Sequence, residues 1–363
     1  MSGTFVTPQP RPELMELPAY RAGKPAAVVP GLTPLKLSSN ERSEGPSAAV
    51  RARLLEEFAF NRYPDPMNTE LCVALAARLG VSAEQIVTES GSLGALRLLL
   101  DVLIPRSGGG EAPAEIVYPW RSFEAYPILA SVAGATGIPV PLAVDGTNDL
   151  EAMADAITPH TRAVFVCTPN NPTGPIITRE QFADFMRRVP ANVLVIVDEA
   201  YTEYVDDPEA LDGIVAFSEH SNIAVLRTFS KAHGLAGLRV GYAVVSRELA
   251  DAMWRIRPTF AVTALAERAA VLALADTEGL AAHVAEVQHG RRAIINALRD
   301  VGEHPLESQS NFVWFVPRDP DSFEACAARA AISVRRLDGG IRITVGDAAA
   351  TERVLALIAD AEH

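Results

Sequence analysis

Between residues 115 and 245, short apolar runs alternate with helical stretches, and this rhythm constrains the fold more than any other feature of the 363-residue chain. The apolar runs lie at 115–118, 138–142, 163–167, 193–197, 223–227 and 240–245, and helical patterning occupies 92–103, 122–132, 149–157, 179–188 and 208–218. Runs with so few charges are buried on both faces, so the pattern predicts a mostly parallel sheet covered by helices. After Arg247 the rhythm changes. Helical stretches at about 262–275 and 280–301 precede a strand at 311–316, a helix near 322–331, paired strands at 333–336 and 341–345, and a last helix. This predicts a small α+β domain. Upstream, 47–60 and 69–79 carry helical spacing. Residues 1–35 are rich in Pro and Gly and predict an extended arm. The expected plan is an arm over 1–40 that joins the small domain, a large α/β domain over 41–250, and a small α+β domain over 251–363.

Charge and cysteine content narrow the function. Lys and Arg total 32 against 45 Asp and Glu, a net charge of −13, which repels phosphate backbones and anionic lipid. Nucleic acid and membrane surfaces are therefore excluded as expected partners. The 48% apolar and 21% charged content is that of a globular chain. Cys72, Cys167 and Cys326 are too few and too scattered for a disulfide framework or a metal site, and read as buried free thiols in a reducing compartment. No apolar run reaches the roughly 18–20 residues that span a bilayer. Residues 1–12 lack the charged start and apolar core of a secretory signal. The expectation is a cytoplasmic protein. The Gly-rich stretch 107–110 lacks a following GK[ST], so it reads as a flexible surface turn rather than a phosphate loop.

The chemistry concentrates where apolar runs end. Thr228-Phe229-Ser230-Lys231 follows the run at 223–227, with Gly234, Gly237, Arg239 and Gly241 behind it. A partly desolvated lysine at a strand end has a lowered pKa and can form a Schiff base. Ser230 and Arg239 supply donors suited to a phosphate. Asp198-Glu199-Ala200-Tyr201 follows the run at 193–197, so a carboxylate faces the crevice where open α/β sheets bind ligands. Asn170-Asn171-Pro172-Thr173-Gly174 follows the run ending at Cys167. Gly91-Ser92 stands where a helix begins, and its free N–H groups suit an anion. A Schiff-base lysine, a carboxylate for a heterocyclic nitrogen, a tyrosine, an asparagine and a phosphate cup together match pyridoxal 5′-phosphate.

Taken in chain order, Asn-Pro-Thr-Gly, Asp-x-x-Tyr, Ser-Lys and then Arg239 eight residues after the lysine, these segments resemble the fold-type I, class I/II aminotransferases, specifically their histidinol-phosphate and aromatic amino acid branch. The resemblance runs from about Leu37 to Gly346. It rests also on Leu37-Ser38-Ser39-Asn40-Glu41, Asn61-Arg62-Tyr63-Pro64-Asp65-Pro66, Ser310-Asn311-Phe312-Val313-Trp314 and Ile341-Arg342-Ile343-Thr344-Val345-Gly346. It implies a PLP-dependent transaminase with Lys231, Asp198 and Tyr201 as catalytic residues. Lys231 holds the cofactor aldehyde and Asp198 the pyridine nitrogen. Tyr201 and Asn171 meet the phenolic oxygen. Thr228, Ser230, Arg239 and the Gly91-Ser92 backbone bind the phosphate, and Phe123 stacks on the ring. Tyr63 reaches the neighbouring subunit's cofactor, which implies a homodimer. Arg342, Asn171, Arg335 and Tyr20 fall to the substrate.

Trp120-Arg121-Ser122-Phe123 is similar to aromatic members, and Leu93-Gly94 replaces the polar start common in histidinol-phosphate members. The implied activity moves an amino group from an aromatic amino acid to 2-oxoglutarate by a ping-pong route. The alternatives are histidinol phosphate as donor, or a specialised transaminase or decarboxylase on the same scaffold. Arg42-Ser43-Glu44 departs from the family's usual Asn-Pro-aromatic at the entrance. His233, His283 and His289 read as packing or surface residues.

Overall fold

The computed structural model of the chain describes residues 10, 12–15, 17, 22–54, 56, 59–105 and 112–360. Tyr20 and the glycine-rich stretch 107–110 lie outside them. In chain order, a helix α1 (Pro12–Met15) and a strand β1 (Leu35–Lys36) are followed by α2 (Ala48–Leu54), α3 (Thr69–Leu79), β2 (Ile86–Glu89) and α4 (Ser92–Leu103). Next come β3 (Glu115–Trp120), α5 (Ala125–Val132), β4 (Thr136–Pro141), α6 (Leu150–Asp155), β5 (Thr161–Cys167) and α7 (Arg179–Met186). The central part ends with β6 (Leu194–Asp198), α8 (Gly213–Glu219), β7 (Ile223–Thr228), β8 (Gly241–Val244) and α9 (Arg247–Ile256). The rest comprises α10 (Ala264–Ala275), α11 (Thr277–Asp300), β9 (Phe312–Phe315), α12 (Pro320–Arg329), β10 (Ile332–Ser333), β11 (Arg335–Leu337), β12 (Gly340–Thr344) and α13 (Ala348–Asp360).

A seven-stranded sheet runs in the order β2-β8-β7-β6-β5-β3-β4. Its five strands from β7 to β4 are parallel, and β8 is antiparallel to both β7 and β2. Both faces are covered over the inner strands, as their unbroken apolar runs require, and over β2, but the edge strand β4 buries only Val140. Successive residues of β5 alternate between two cores: Val164 and Val166 face α3, α7 and α10, while Ala163, Phe165 and Cys167 face α4, α5 and α9. A second, antiparallel sheet β11-β12-β9 buries Phe312, Phe315, Ile341 and Ile343 against α11 and α13. The chain is an α/β fold with a mostly parallel central sheet. Strand β1 pairs in parallel with β10, and Leu37 O accepts from the backbone N–H of Thr344, so the start of the chain is stitched to the smaller unit.

Some boundaries depart from the sequence pattern for local reasons. Of the expected helical stretch 47–60, Ala48–Leu54 forms α2, burying Val50, and residues 59–60 are not helical; residues 55, 57 and 58 lie outside the described ones. The side chain of Asp212 accepts from Ile214 N–H and starts α8 five residues late. The run at 333–336 divides between two sheets, with Ile332–Ser333 on β1 and Arg335–Leu337 on β12. Strand β2 and helix α9 have no counterpart in the expected rhythm. Four residues ending in Thr-Glu give β2 too weak a periodic signal, yet all four are buried.

Candidate active site

The parallel strands deliver their last residues to one edge. Cys167 at the end of β5 stands in register with Asp198 at the end of β6, and β7 ends alongside at Thr228. The crevice outside these carboxyl ends opens into a cavity of about 490 Å³. Asn171, Asp198, Tyr201, Thr228, Ser230, Lys231 and Arg239 line it, as do Ser92, Phe123, Arg335 and Arg342.

Asp198 is buried, and one carboxylate oxygen, Oδ2, accepts from the hydroxyl of Tyr126 at 2.8 Å. Its Oδ1 is buried without any hydrogen-bond partner. Burial pushes the carboxyl up to about 6, and the Tyr126 hydroxyl and the Ala200 N–H oppose that shift. Tyr126 has no signal in the sequence: it sits in α5 among apolar neighbours, and only the fold brings it to Asp198.

Lys231 follows the end of β7 by three residues. Its Nζ lies 3.4 Å from the carbonyl of Ser39 and 5.7 Å from the centre of the Tyr201 ring. Desolvation lowers the amine to about 8, Arg342 and Arg239 push the same way, and Glu41 and Asp198 oppose. The Tyr201 hydroxyl accepts from Asn40 Nδ2 at 2.9 Å, and burial raises its pKa. Asn40 is itself fixed, since its backbone N–H donates to Thr344 Oγ1 at 3.0 Å and its carbonyl accepts from Asn311 Nδ2 at 3.2 Å. Asn40 appears in the sequence resemblance without a role, and its contact with Tyr201 supplies one.

An anion cup faces this group. The Ser230 hydroxyl accepts from Thr228 Oγ1 at 3.0 Å and from Arg239 Nη1 at 3.3 Å. Gly91, with φ +83°, immediately precedes the N-terminus of α4, and Ser92, the first residue of that helix, lines the cavity. A Cβ at Gly91 would lie 2.6 Å from Arg239 Nη2, and one at Gly241 would lie 2.4 Å from the Ser92 nitrogen, so both glycines keep the cup open.

The smaller unit supplies the arginines. Arg342 on β12 is hydrogen bonded to Asn171 Oδ1 and donates to the Ser38 carbonyl at 3.0 Å, 5.4 Å from the Phe312 ring centre. Arg335 on β11 pairs with Glu124 at 2.6 Å. Tyr63 does not join this cavity: it is 81% exposed and stacks on Phe260 with ring centres 4.5 Å apart. Arg42 donates to the Ala232 carbonyl at 3.1 Å, so the atypical segment is anchored beside the lysine loop. His233 is buried against the Phe229 ring, His283 contacts the Tyr204 hydroxyl at 3.2 Å, and His289 is exposed. Among the described residues, no group of three or more His, Cys, Asp or Glu is arranged to hold a metal, and no helix is long and apolar enough to cross a membrane.

Residues 33–358 match the family model for aminotransferase class I and II. The chain belongs to this family. It is a pyridoxal 5′-phosphate-dependent transaminase. It is 43% identical over 344 residues to the aromatic amino acid aminotransferase of Streptomyces avermitilis, covering 94% of each chain. It is 44% identical over 342 residues to that of Thermobifida fusca, covering 93% of each. Its fold is similar to histidinol-phosphate aminotransferase from Sinorhizobium meliloti in complex with pyridoxal-5′-phosphate, with a TM-score of 0.84 and 27% identity, covering 99% of this chain and 98% of that one. The transaminase cavity fits that cofactor: Asp198 offers a buried acceptor with no other partner, Lys231 a deprotonable amine, and Arg239 with Ser230 an anion cup.

Proposed function

We propose that this transaminase moves the amino group of an aromatic amino acid to 2-oxoglutarate. The observation that carries the donor assignment is the 43–44% identity, over nearly the whole chain, to proteins named aromatic amino acid aminotransferase. The cavity wall agrees: Phe123, Ile128, Leu129 and Leu337 offer an apolar surface for a ring. Histidinol phosphate is the second reading, favoured by Arg335 on that wall and by the structural likeness to the S. meliloti protein.

Lys231 would carry the cofactor aldehyde and Asp198 Oδ1 its ring nitrogen. Tyr201 and Asn171 would meet the phenolic oxygen, with Phe123 stacked on the ring. Thr228, Ser230, Arg239 and the Gly91-Ser92 backbone would hold the phosphate. When bound, pyridoxal phosphate supplies an electron sink for the pair released at the donor's Cα. Arg342 holds the donor's carboxylate, which fixes the Cα–H bond toward Lys231. Lys231 Nζ, whose burial favours the neutral amine, would take the proton from the donor's Cα and hold it for return. Asp198 stays ionised opposite the ring nitrogen, aided by the Tyr126 hydroxyl, and so stabilises positive charge there. Donor and acceptor use one cavity, so the first product leaves before the acceptor enters, in ping-pong order.

We read 1–40 as an arm joined to a small domain, with the cofactor on a large domain; the expected boundary at 250/251 shifts, because α9 and α10 pack on the two faces of the central sheet, so the small domain is read as starting with α11. The β1–β10 pairing supports the arm's attachment. We also infer a cytoplasmic homodimer in which Tyr63 serves the partner's site, an inference supported by its exposure beside Phe260. The donor assignment is tested by supplying the purified enzyme with PLP, 2-oxoglutarate and phenylalanine, tyrosine, tryptophan or histidinol phosphate, and measuring glutamate formed. Phenylalanine or tyrosine should give the highest kcat/KM. A clear preference for histidinol phosphate would replace the donor.

A further inference from the structure

We propose that Arg257 and Phe260 are positioning residues that clamp the turn carrying Tyr63 to the strand that leads into this chain's own anion cup, and that through Tyr63 they tune cofactor binding in the partner subunit's site. The proposal rests on the reading that Tyr63 serves the partner and deepens it. Helix α9 ends at Ile256 because Pro258 follows. A proline disfavours helical backbone at the residue before it, and Arg257 is extended, with φ −58° and ψ 133°. Its side chain is only 2% exposed. A guanidinium so buried needs partners, and its rigid fork makes three bonds. Nη1 donates to the Pro66 carbonyl at 2.8 Å, Nη2 to Asn68 Oδ1 at 2.8 Å, and Nε to the Thr88 carbonyl at 2.9 Å. Glu89 lies 3.5 Å from Nε and offsets the charge. The first two acceptors belong to the turn that follows Tyr63 and the third to β2, so one planar group fixes the turn against the strand. Asn68 is fully buried as well. It accepts from Thr88 Oγ1 at 3.1 Å and donates to Glu267 on α10 at 2.9 Å.

Phe260 closes the other side of the clamp. Its φ of +62° is left-handed backbone, rare for a bulky residue, and such strain persists only where the surroundings hold it. Two contacts hold it here. The Phe260 ring stacks on Tyr63, with centres 4.5 Å apart and planes 13° from parallel. The next carbonyl, of Ala261, accepts from Ser90 Oγ at 2.8 Å. Ser90 directly precedes Gly91 and Ser92 of the cup. Gly94 leaves room for this arrangement, since a Cβ there would lie 2.7 Å from Glu89 Cγ. Tyr63 itself is 81% exposed, while Arg257, Asn68 and Glu89, which fix its turn, are buried. The clamp thus belongs to one chain, and its effect falls on the phosphate held by the other.

The test uses mixed dimers isolated through two different affinity tags, each pairing an unaltered chain with a K231A chain. Only the unaltered chain keeps a lysine that can hold the aldehyde, so absorbance during titration reports that one site, whose Tyr63 comes from the K231A chain. Adding R257M or F260A to the K231A chain should raise the half-saturating PLP concentration of the unaltered site roughly three- to tenfold. The value for pyridoxal, which lacks the phosphate, should stay the same, an outcome that general damage to the fold does not give. Y63F in the K231A chain should raise the PLP value at least as much. If R257M chains fail to pair, F260A carries the test. An unchanged PLP value in either mixed dimer, or equal rises for PLP and pyridoxal, overturns the proposal. An unchanged PLP value with Y63F overturns instead the reading that Tyr63 serves the partner.

Discussion

At the scale of single residues, the site depends on groups whose ionisation is shifted by where the chain puts them. The Lys231 amine is lowered to about 8, chiefly by desolvation. Only the neutral amine attacks an aldehyde, so capture of PLP by the apo-enzyme should accelerate about tenfold per pH unit up to that midpoint and then level off. Stopped-flow absorbance checks this, and a rate that does not change with pH contradicts it. Asp198 shifts the opposite way, to about 6, so its carboxylate needs help to stay ionised near neutrality. Tyr126 gives that help. Tyr126→Phe should weaken PLP binding and lower kcat by roughly ten- to a hundredfold, the worth of a hydrogen bond to a charged group, with little change in donor KM. Equal PLP affinity in the variant would deny Tyr126 this role. Asp198, Asn171 and Lys231 were legible in the sequence because each follows an apolar run that ends at the crevice. Tyr126 and Asn40 were not. They lie 72 residues from Asp198 and 161 residues from Tyr201, and only tertiary packing brings each pair together.

At the scale of elements, the cup formed by Ser230, Arg239 and the start of α4, which we propose holds the phosphate, is a product of backbone shape. Helix α4 starts directly after Gly91, whose φ of +83° suits no residue with a side chain, and β8 starts at Gly241 against the Ser92 nitrogen. Gly91→Ala should displace Arg239 and raise the dissociation constant for PLP by roughly tenfold or more. Pyridoxal, which lacks the phosphate, should bind as before. Fluorescence titration with both compounds checks this, and equal losses for the two would mean a general disruption. The strand-helix alternation from β3 to β7 was readable because each run is apolar on both faces and long enough to show it. The short β2, the split of 333–336 into β10 and β11, and the late start of α8 were not, since pairing partners and one capping aspartate decide them.

At the scale of the whole molecule, the segment 38–40, the central sheet and the smaller unit meet around one cavity. Ser38, Ser39 and Asn40 touch Arg342, Lys231 and Tyr201. If Tyr63 serves the partner's site, Y63A and K231A subunits should rescue each other. Each mixed dimer holds one intact site, so an equal mixture should recover roughly a quarter of the unaltered activity after subunit exchange. No recovery in verified mixed dimers would confine Tyr63 to its own subunit. The central claim, that Lys231 holds the cofactor, has an unusually clean test, because the chain contains only three lysines, Lys24, Lys36 and Lys231. Borohydride reduction of the PLP-loaded enzyme, followed by peptide mass spectrometry, should leave the phosphopyridoxyl group on Lys231. A label on Lys24 or Lys36 alone, or no label on an enzyme that still transaminates, would contradict the account.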